Sequence, residues 1–526
     1  MPDRQSNDAP VLGDTQENRS STVAKNFVWA SLELLLGLFA SLYTTVAVAR
    51  TFGPTLLGYF NYIYWLTSIS AQVGSLGLPL TTLKYMGEYL GAGKLGLARS
   101  TFIYTLKLQA ILSFGVALLG IPLVWHLVPP EYQVISVVLV LGVVPQMVIL
   151  IPSMANTAFQ DLRANAHGGF VGVLVNVVVI ALTLHFGWGL LGVAFGTLFS
   201  RCAELLIKMV PILPWLKRTI SVSLPKELRR GMLSFSGKGT ALMLLSIVIW
   251  DRSDMVLLKW LQSDIRQLAF FSVSFSLLER LMILPQAFGR SLNATQMVES
   301  GRDPQRLLRL TATAARYTLL GSLPLFLGSA CLSGPIIRII YGWQYLPAIS
   351  VFGLAALFAV SKPMLFPAET LLYASNDLGF LLKWSCFCAA VEIGIDMALI
   401  PHYAAIGAAI GNGAAQTLAA VGIWTWASLK LQVPLEFGRL GKVVGSAVIM
   451  AAAVLACTMH INSPVIKLIV GFVVGVAAYA TSLRLMSTLD EDDRNRLLHV
   501  ARRLPSPLQR SAQQILNFVT LPSPLR

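Results

Sequence analysis

The chain has 526 residues, 55% of them hydrophobic and 12% charged, with a formal net charge of +15. Soluble domains carry about 25% charged residues, so an ordinary soluble domain is excluded. The basic excess reads as charge in cytoplasmic loops; few aromatic residues interleave with the basic clusters, which speaks against nucleic-acid binding.

The apolar residues come in blocks long enough to span a bilayer, which takes about 20 residues per helix. In chain order the expected spans are 26–49, 58–82, 101–121, 133–155, 167–186, 190–213, 233–258, 268–289, 317–337, 348–371, 383–401, 405–428, 443–460 and 465–484. The fold class is therefore all-α: a polytopic membrane protein of about 14 transmembrane helices. The polar start, "MPDRQSNDAP", is not followed by a cleavable signal, so the first span is expected to act as an uncleaved anchor. Cys202, Cys331, Cys386, Cys388 and Cys457 all fall in apolar runs with no metal or redox spacing, and read as small hydrophobic side chains.

Charge placement tests this count. With the N-terminus in the cytoplasm, 29 of the 40 Lys and Arg fall on cytoplasmic segments. Five fall outside (Arg50, Lys259, Arg266, Arg338, Lys467) and six within spans (Lys107, Arg201, Lys238, Arg252, Arg280, Lys362), with Lys208, Lys383 and Arg484, near the cytoplasmic ends of their spans, counted as cytoplasmic. That asymmetry follows the positive-inside rule.

The chain also repeats. "ARTFGPTLLGYF" at 49–60, Pro79 and "GEYLGAGK" at 87–94 are answered by "LKWLQSDIRQLAFF" at 258–271, Pro285 and "VESGRDPQ" at 298–305. Arg50 falls opposite Lys259 and Glu88 opposite Glu299. "GWGLLGVAFGTLF" at 187–199 is answered by "HYAAIGAAIGNGA" at 402–414, which sets Gly192 and Gly196 opposite Gly407 and Gly411. Such pairs let helices approach closely. Both halves start in the cytoplasm, so the repeats run parallel, a transporter design with the substrate at the interface between halves. The expected organisation is a disordered cytoplasmic N-terminus (1–24), a first six-helix half (25–213), a basic cytoplasmic linker (214–231), a second six-helix half (232–430), an extra helix pair (443–484) and a cytoplasmic tail (485–526). The tail alternates charges with Leu and Val, which suits either an amphipathic surface helix or a solvated segment.

At "VARTFGPTLLGYFNYIYWLTSISAQVGSLGLPLTTLKYMGEYLGAGK", residues 48–94, the chain resembles the Wzx-type polysaccharide flippases of the multidrug/oligosaccharidyl-lipid/polysaccharide exporter superfamily. "DMVLLKWL" at 254–261 looks like the opening of that family's second half, and the resemblance covers about residues 25–430. It implies a protein of the bacterial inner membrane, with both termini cytoplasmic. Such a protein moves undecaprenyl-pyrophosphate-linked oligosaccharide for exopolysaccharide, capsule or O-antigen assembly, alongside other polymer-assembly proteins. Lipid II flippases of the superfamily carry arginines within the first helix; the matching places here, near Leu38 and Thr44, are uncharged.

A lipid-linked sugar has a hydrophilic, anionic head, so a flippase needs a wet cavity with cations, and charges inside spans are its default candidates. Lys238 and Arg252 are 14 residues apart, about 40° apart in angle and roughly 21 Å along a continuous helix. Asp251 and Asp254 lie on a neighbouring face. The bland alternative is a helix end near Trp250 with an interfacial cap. Glu33, Arg280 and Lys362 complete the expected substrate cavity. Glu279 and the i,i+4 pair Glu392 and Asp396 are coupling candidates, because like charges so close repel unless a proton or Na⁺ intervenes. Arg50 and Lys259 mark the outer mouths, as gating or topological residues. No cofactor or metal cluster is expected. A cation-coupled drug antiporter would want an acid-dominated cavity. A membrane sugar polymerase or ligase would want a large outer loop, whereas "HFGWG" and "PHYAA" are short.

Overall fold

A computed structural model describes residues 16–490 except 160, 221, 251–253, 301–303 and 376, together with 493, 494 and 513; in stretches such as 16–36 and 241–250 it describes the backbone alone. The described residues form helices and connecting turns, in two compact units that divide after Arg252.

The first unit holds α1 (Gln16–Gly74), α2 (Leu78–Gly91), α3 (Leu95–Leu127), α4 (Pro130–Leu141), α5 (Val143–Val148), α6 (Leu150–Ala158), α7 (Arg163–Phe186), α8 (Gly189–Met209), α9 (Ile212–Arg218) and α10 (Lys226–Trp250). The 59-residue α1 carries the first two expected spans. They part at Gly53, whose φ of 75° and ψ of 179° belong to a region open essentially to glycine alone. Pro54 follows and removes a backbone donor. The "FGP" motif is thus the corner between two spans. Its backbone starts at Gln16, within the segment expected to be disordered; residues 1–15 lie outside the described residues. α7 and α8 form a tight hairpin. A Cβ on Gly192 would sit 2.4 Å from Thr183 Oγ1, and one on Gly196 would sit 3.3 Å from Val179.

The second unit holds α11 (Asp254–Leu261), α12 (Arg266–Ser300), α13 (Pro304–Cys331), α14 (Ser333–Ile340), α15 (Ala348–Phe358), α16 (Ser361–Ala374), α17 (Leu378–Tyr403), α18 (Ala405–Leu429), α19 (Phe437–Thr458) and α20 (Pro464–Leu485). Its hairpin, α17–α18, is closer still. A Cβ on Gly407 would meet the Leu399 carbonyl at 2.7 Å, and one on Gly411 would meet Asp396 Oδ1 at 1.9 Å. The α19–α20 pair packs on α13 through Leu319, Leu323, Val443 and Ala447. An ion network fastens the same seam. Buried Arg316 pairs with Asp493 and Glu436, the Tyr317 hydroxyl donates to Asp493, and Arg439 reaches Glu436 and Asp490. Asp490 and Asp493 accept each other's backbone N–H. The tail beyond Asp493 is outside the described residues apart from Arg494 and Gln513, and with it the amphipathic helix.

Among the described residues nine helices are long and apolar enough to cross a membrane, ten when α13 and α14, bent by 72°, count as one span. The other four expected spans fall on the two arms of α1, on α10–α11 and on α12. The unit boundary at 252 places α10 with the first unit, although its sequence opens the second repeat.

Candidate functional site

Three helices of the second unit bring carboxyls together in its interior. α11 opens with Asp254, α17 presents Glu392 and Asp396 one turn apart, and α18 presents Asn412. Asp254 and Asp396 are fully buried and Glu392 nearly so. The Asn412 side-chain amide donates to Asp254 Oδ2 at 3.2 Å and to Glu392 Oε1 at 2.9 Å. Gln416, one turn on, donates to Asn412 Oδ1 at 2.9 Å and fixes which way that amide points. Asp254 in turn faces both Asp396 and Glu392. Asp254 Oδ1 and both Asp396 carboxyl oxygens have no hydrogen-bond partner among the described residues.

The packing that allows this is local. Gly411 has no Cβ, so the Asp396 carboxyl lies directly on α18. At the α17–α18 turn, Gln262 donates to the Ile400 and Pro401 carbonyls, and Gln267 accepts from the Ala405 N–H. These bonds tie α11 and α12 to the tip of the hairpin. Carboxyls sealed this closely need compensating positive charge. No group of three or more His, Cys, Asp or Glu among the described residues has metal-site geometry.

The structure thus joins Asp254, expected in the substrate cavity, to the coupling candidates Glu392 and Asp396. Lys362 on α16 acts electrostatically on Glu392, and on Glu369 two turns along its own helix. Arg280 on α12 donates to the Ser276 carbonyl one turn back, and the neighbouring Glu279 is exposed. Arg50 is exposed just before the α1 corner, and Lys259 lies in the last turn of α11, so the structure does not bring either into the cluster. Asp251 and Arg252, and the side chains of Glu33 and Lys238, lie outside the described residues. Asn412, Gln416 and Glu369 escaped the sequence reading. The signal for the first was its place inside the repeated glycine motif, as "GNG".

A cleft of about 410 Å³ lies on the other side of α18, lined by Phe358, Met364 and Trp424 with Ser361 and Thr417 as its polar groups. It is apolar and holds none of these charges.

The polysaccharide biosynthesis protein family matches residues 47–350, more than half of the chain. The chain belongs to that family. The lipid II flippase MurJ in an inward closed conformation superposes with a TM-score of 0.66 at 14% identity, over 87% of this chain and 98% of that one. An inward-facing multidrug-resistance MATE transporter of the MOP superfamily gives 0.62 at 16%, over 77% and 98%. A MOP superfamily transporter from Pyrococcus furiosus gives 0.55 at 15%, over 78% and 96%. No curated protein matches in sequence. At these identities the likeness establishes the fold, which this family member shares with multi-pass membrane transporters. Within that fold, the buried acids of α11 and α17, bridged by Asn412 of α18, are the chemistry that packing alone does not require.

Proposed function

We propose that this protein flips an undecaprenyl-pyrophosphate-linked oligosaccharide across the bacterial inner membrane for exopolysaccharide, capsule or O-antigen assembly. It acts by alternating access and not as an enzyme. Membership of a polysaccharide biosynthesis family supports the substrate class, and the shared fold supports translocation over bond chemistry. The observation that carries the reading is the match to the polysaccharide biosynthesis family over residues 47–350; the sealed cluster of Asp254, Glu392, Asp396 and Asn412 supplies the coupling groups. Burying such groups is costly, and taking up and releasing a proton or Na⁺ there is a use that offsets the cost. Asp254, Glu392 and Asp396 are assigned to coupling. Lys238, Arg252, Arg280 and Lys362, with Glu33 and Asp251, are assigned to the substrate cavity, and Arg50 and Lys259 to the outer gate. The two repeats rock about the 214–231 linker.

A cation-coupled drug antiporter is the second reading, and the acidic cluster is the observation that favours it. Proteoliposomes loaded with a fluorescent lipid-linked oligosaccharide separate the two. Flipping driven by a proton or Na⁺ gradient, and lowered at least tenfold by Glu392→Gln, is the expected result. Gradient-driven efflux of small organic cations with no sugar flipping would replace the flippase with the antiporter.

A further inference from the structure

Helix α8 of the first unit carries three charges on one face: Arg201, Glu204 and Lys208. Glu204 is shared between two cations, Arg201 Nη1 at 3.2 Å and Lys208 Nζ at 2.7 Å. One carboxylate neutralises one cation, so the trio holds a net positive charge. Glu204 and Lys208 are sealed, with 13% and 6% of their side-chain surfaces exposed. Their seat is α7, where Gly172 and Gly168 leave room: a Cβ there would meet Glu204 Cβ at 3.2 Å and Lys208 Cγ at 2.6 Å. Arg201 differs. It lies deep among protein atoms, yet 36% of its side-chain surface is open. Its second amino group points at the Tyr64 hydroxyl of α1, 3.5 Å away.

The direction of that opening follows from the helix. At 100° per residue, Phe195, Phe199 and Leu206 lie about 120–160° around α8 from Arg201, and these are its exposed large apolar side chains. They mark the side that meets lipid. Leu190, Val193 and Ala194 are buried and lie within about 80° of Arg201. Arg201 therefore sits on the side of α8 that packs against other helices, where its guanidinium meets Tyr64 of α1 and keeps part of its surface open. Twelve residues into the helix, it sits about 18 Å below the outer end. A charge at that depth is costly unless it meets water or an opposite charge. The guanidinium fork matches phosphoryl oxygens in pairs, and Glu204 already holds one edge of it in place.

We propose that Arg201, oriented by Glu204 and Tyr64, forms a phosphoryl-binding site inside the first unit. The ligand class is a phosphoryl headgroup on a membrane lipid, from either the carrier-lipid pyrophosphate or a bulk anionic phospholipid. The inference rests on the flippase reading only for the choice of carrier lipid. Binding is measured on the full chain in phosphatidylcholine nanodiscs, with undecaprenyl pyrophosphate as probe, undecaprenol as the uncharged control and phosphatidylglycerol as competitor. Arg201→Gln is expected to weaken pyrophosphate binding at least tenfold and leave undecaprenol binding unchanged. Arg201→Lys is expected to fall between, because it keeps the charge and loses the fork. Arg163→Gln, on an exposed pair with Asp161, is expected to bind as wild type. Displacement by equimolar phosphatidylglycerol would support the site with a phospholipid as its ligand; resistance would support it with the carrier.

Wild-type binding in Arg201→Gln overturns the proposal. Where that variant does not fold, unchanged binding in Arg201→Lys at raised salt overturns it equally. The flippase reading fails separately, when wild-type protein binds the pyrophosphate through Arg201 and flips no lipid-linked sugar.

Discussion

The hairpins α7–α8 and α17–α18 occupy the same place in the two repeats, share the same glycine pair and bury different chemistry. In the first, the charges ride on the second helix: Arg201, Glu204 and Lys208 of α8 lie against glycines of α7. In the second, they ride on the first helix: Glu392 and Asp396 of α17 lie beside α18, with Asp396 on Gly411. In the glycine register that pairs Gly196 with Gly411, Arg201 falls opposite Gln416. One half uses that position for a cation, the other for the amide that orients Asn412. The seam glycines recur in both hairpins, while the polar positions carry a net positive trio in one unit and a crowd of carboxyls in the other.

The largest test of this contrast is a carboxyl-to-amide change made in both hairpins. Glu204→Gln leaves the nearly buried Lys208 and the deep Arg201 without their shared counter-charge. Removing one partner of a buried pair typically costs about 3–5 kcal/mol, so a clear fall in unfolding temperature is expected. Asp396→Asn removes one of three crowded carboxyls and relieves repulsion and desolvation. Its unfolding temperature is expected to hold or rise while gradient-driven transport falls at least tenfold. Thermal unfolding in detergent, paired with the flipping assay, reads both. If the two variants lose stability alike, the units do not differ in the way their charges are balanced.

The glycines give a smaller and graded effect. An alanine at 407 puts its Cβ 2.7 Å from the Leu399 carbonyl, backbone that cannot turn aside. Overpacking of this kind costs about 1–3 kcal/mol. An alanine at 196 meets the Val179 side chain at 3.3 Å, which a few tenths of an ångström of movement relieves. Gly407→Ala is therefore expected to lower the unfolding temperature by several degrees more than Gly196→Ala. Equal losses would mean that the hairpins are equally tight.

What could be read from the chain follows the range of each interaction. Hydropathy and charge asymmetry depend on local runs, so the spans were visible, as was the α1 corner at "FGP". Glu392 and Asp396 stood out because two acids one turn apart in an apolar run are a local anomaly. Asn412 did not, since an amide in a glycine-rich helix raises no flag, and its bond to Asp254 spans 158 residues. The tie from Arg316 to Asp493 crosses 177 residues and was equally silent. Whether the run from 233 to 258 ends near Trp250, the bland alternative to a continuous span, turns on residues 251–253, which lie outside the described residues. Arg201 was visible as a charge within a span. Its meaning depends on which face of α8 meets lipid, and that only packing decides.

The smallest expected effect lies at the hairpin tips. The first hairpin turns at Gly187, with φ 69° and ψ 28°, a left-handed conformation that costs glycine nothing. The second turns at Ala404, with φ 50° and ψ −125°, where a Cβ is strained. The two turns therefore respond in opposite directions. Gly187→Ala is expected to cost about 1 kcal/mol, and Ala404→Gly to gain up to about that much, less the entropy that glycine adds to the unfolded chain. Unfolding temperatures of the two single variants measure the difference, and the sum should appear in the double variant if the two turns act independently, as residues of different compact units. A loss at Ala404→Gly would show that the alanine methyl packs well enough at the α17–α18 tip to outweigh its own backbone strain.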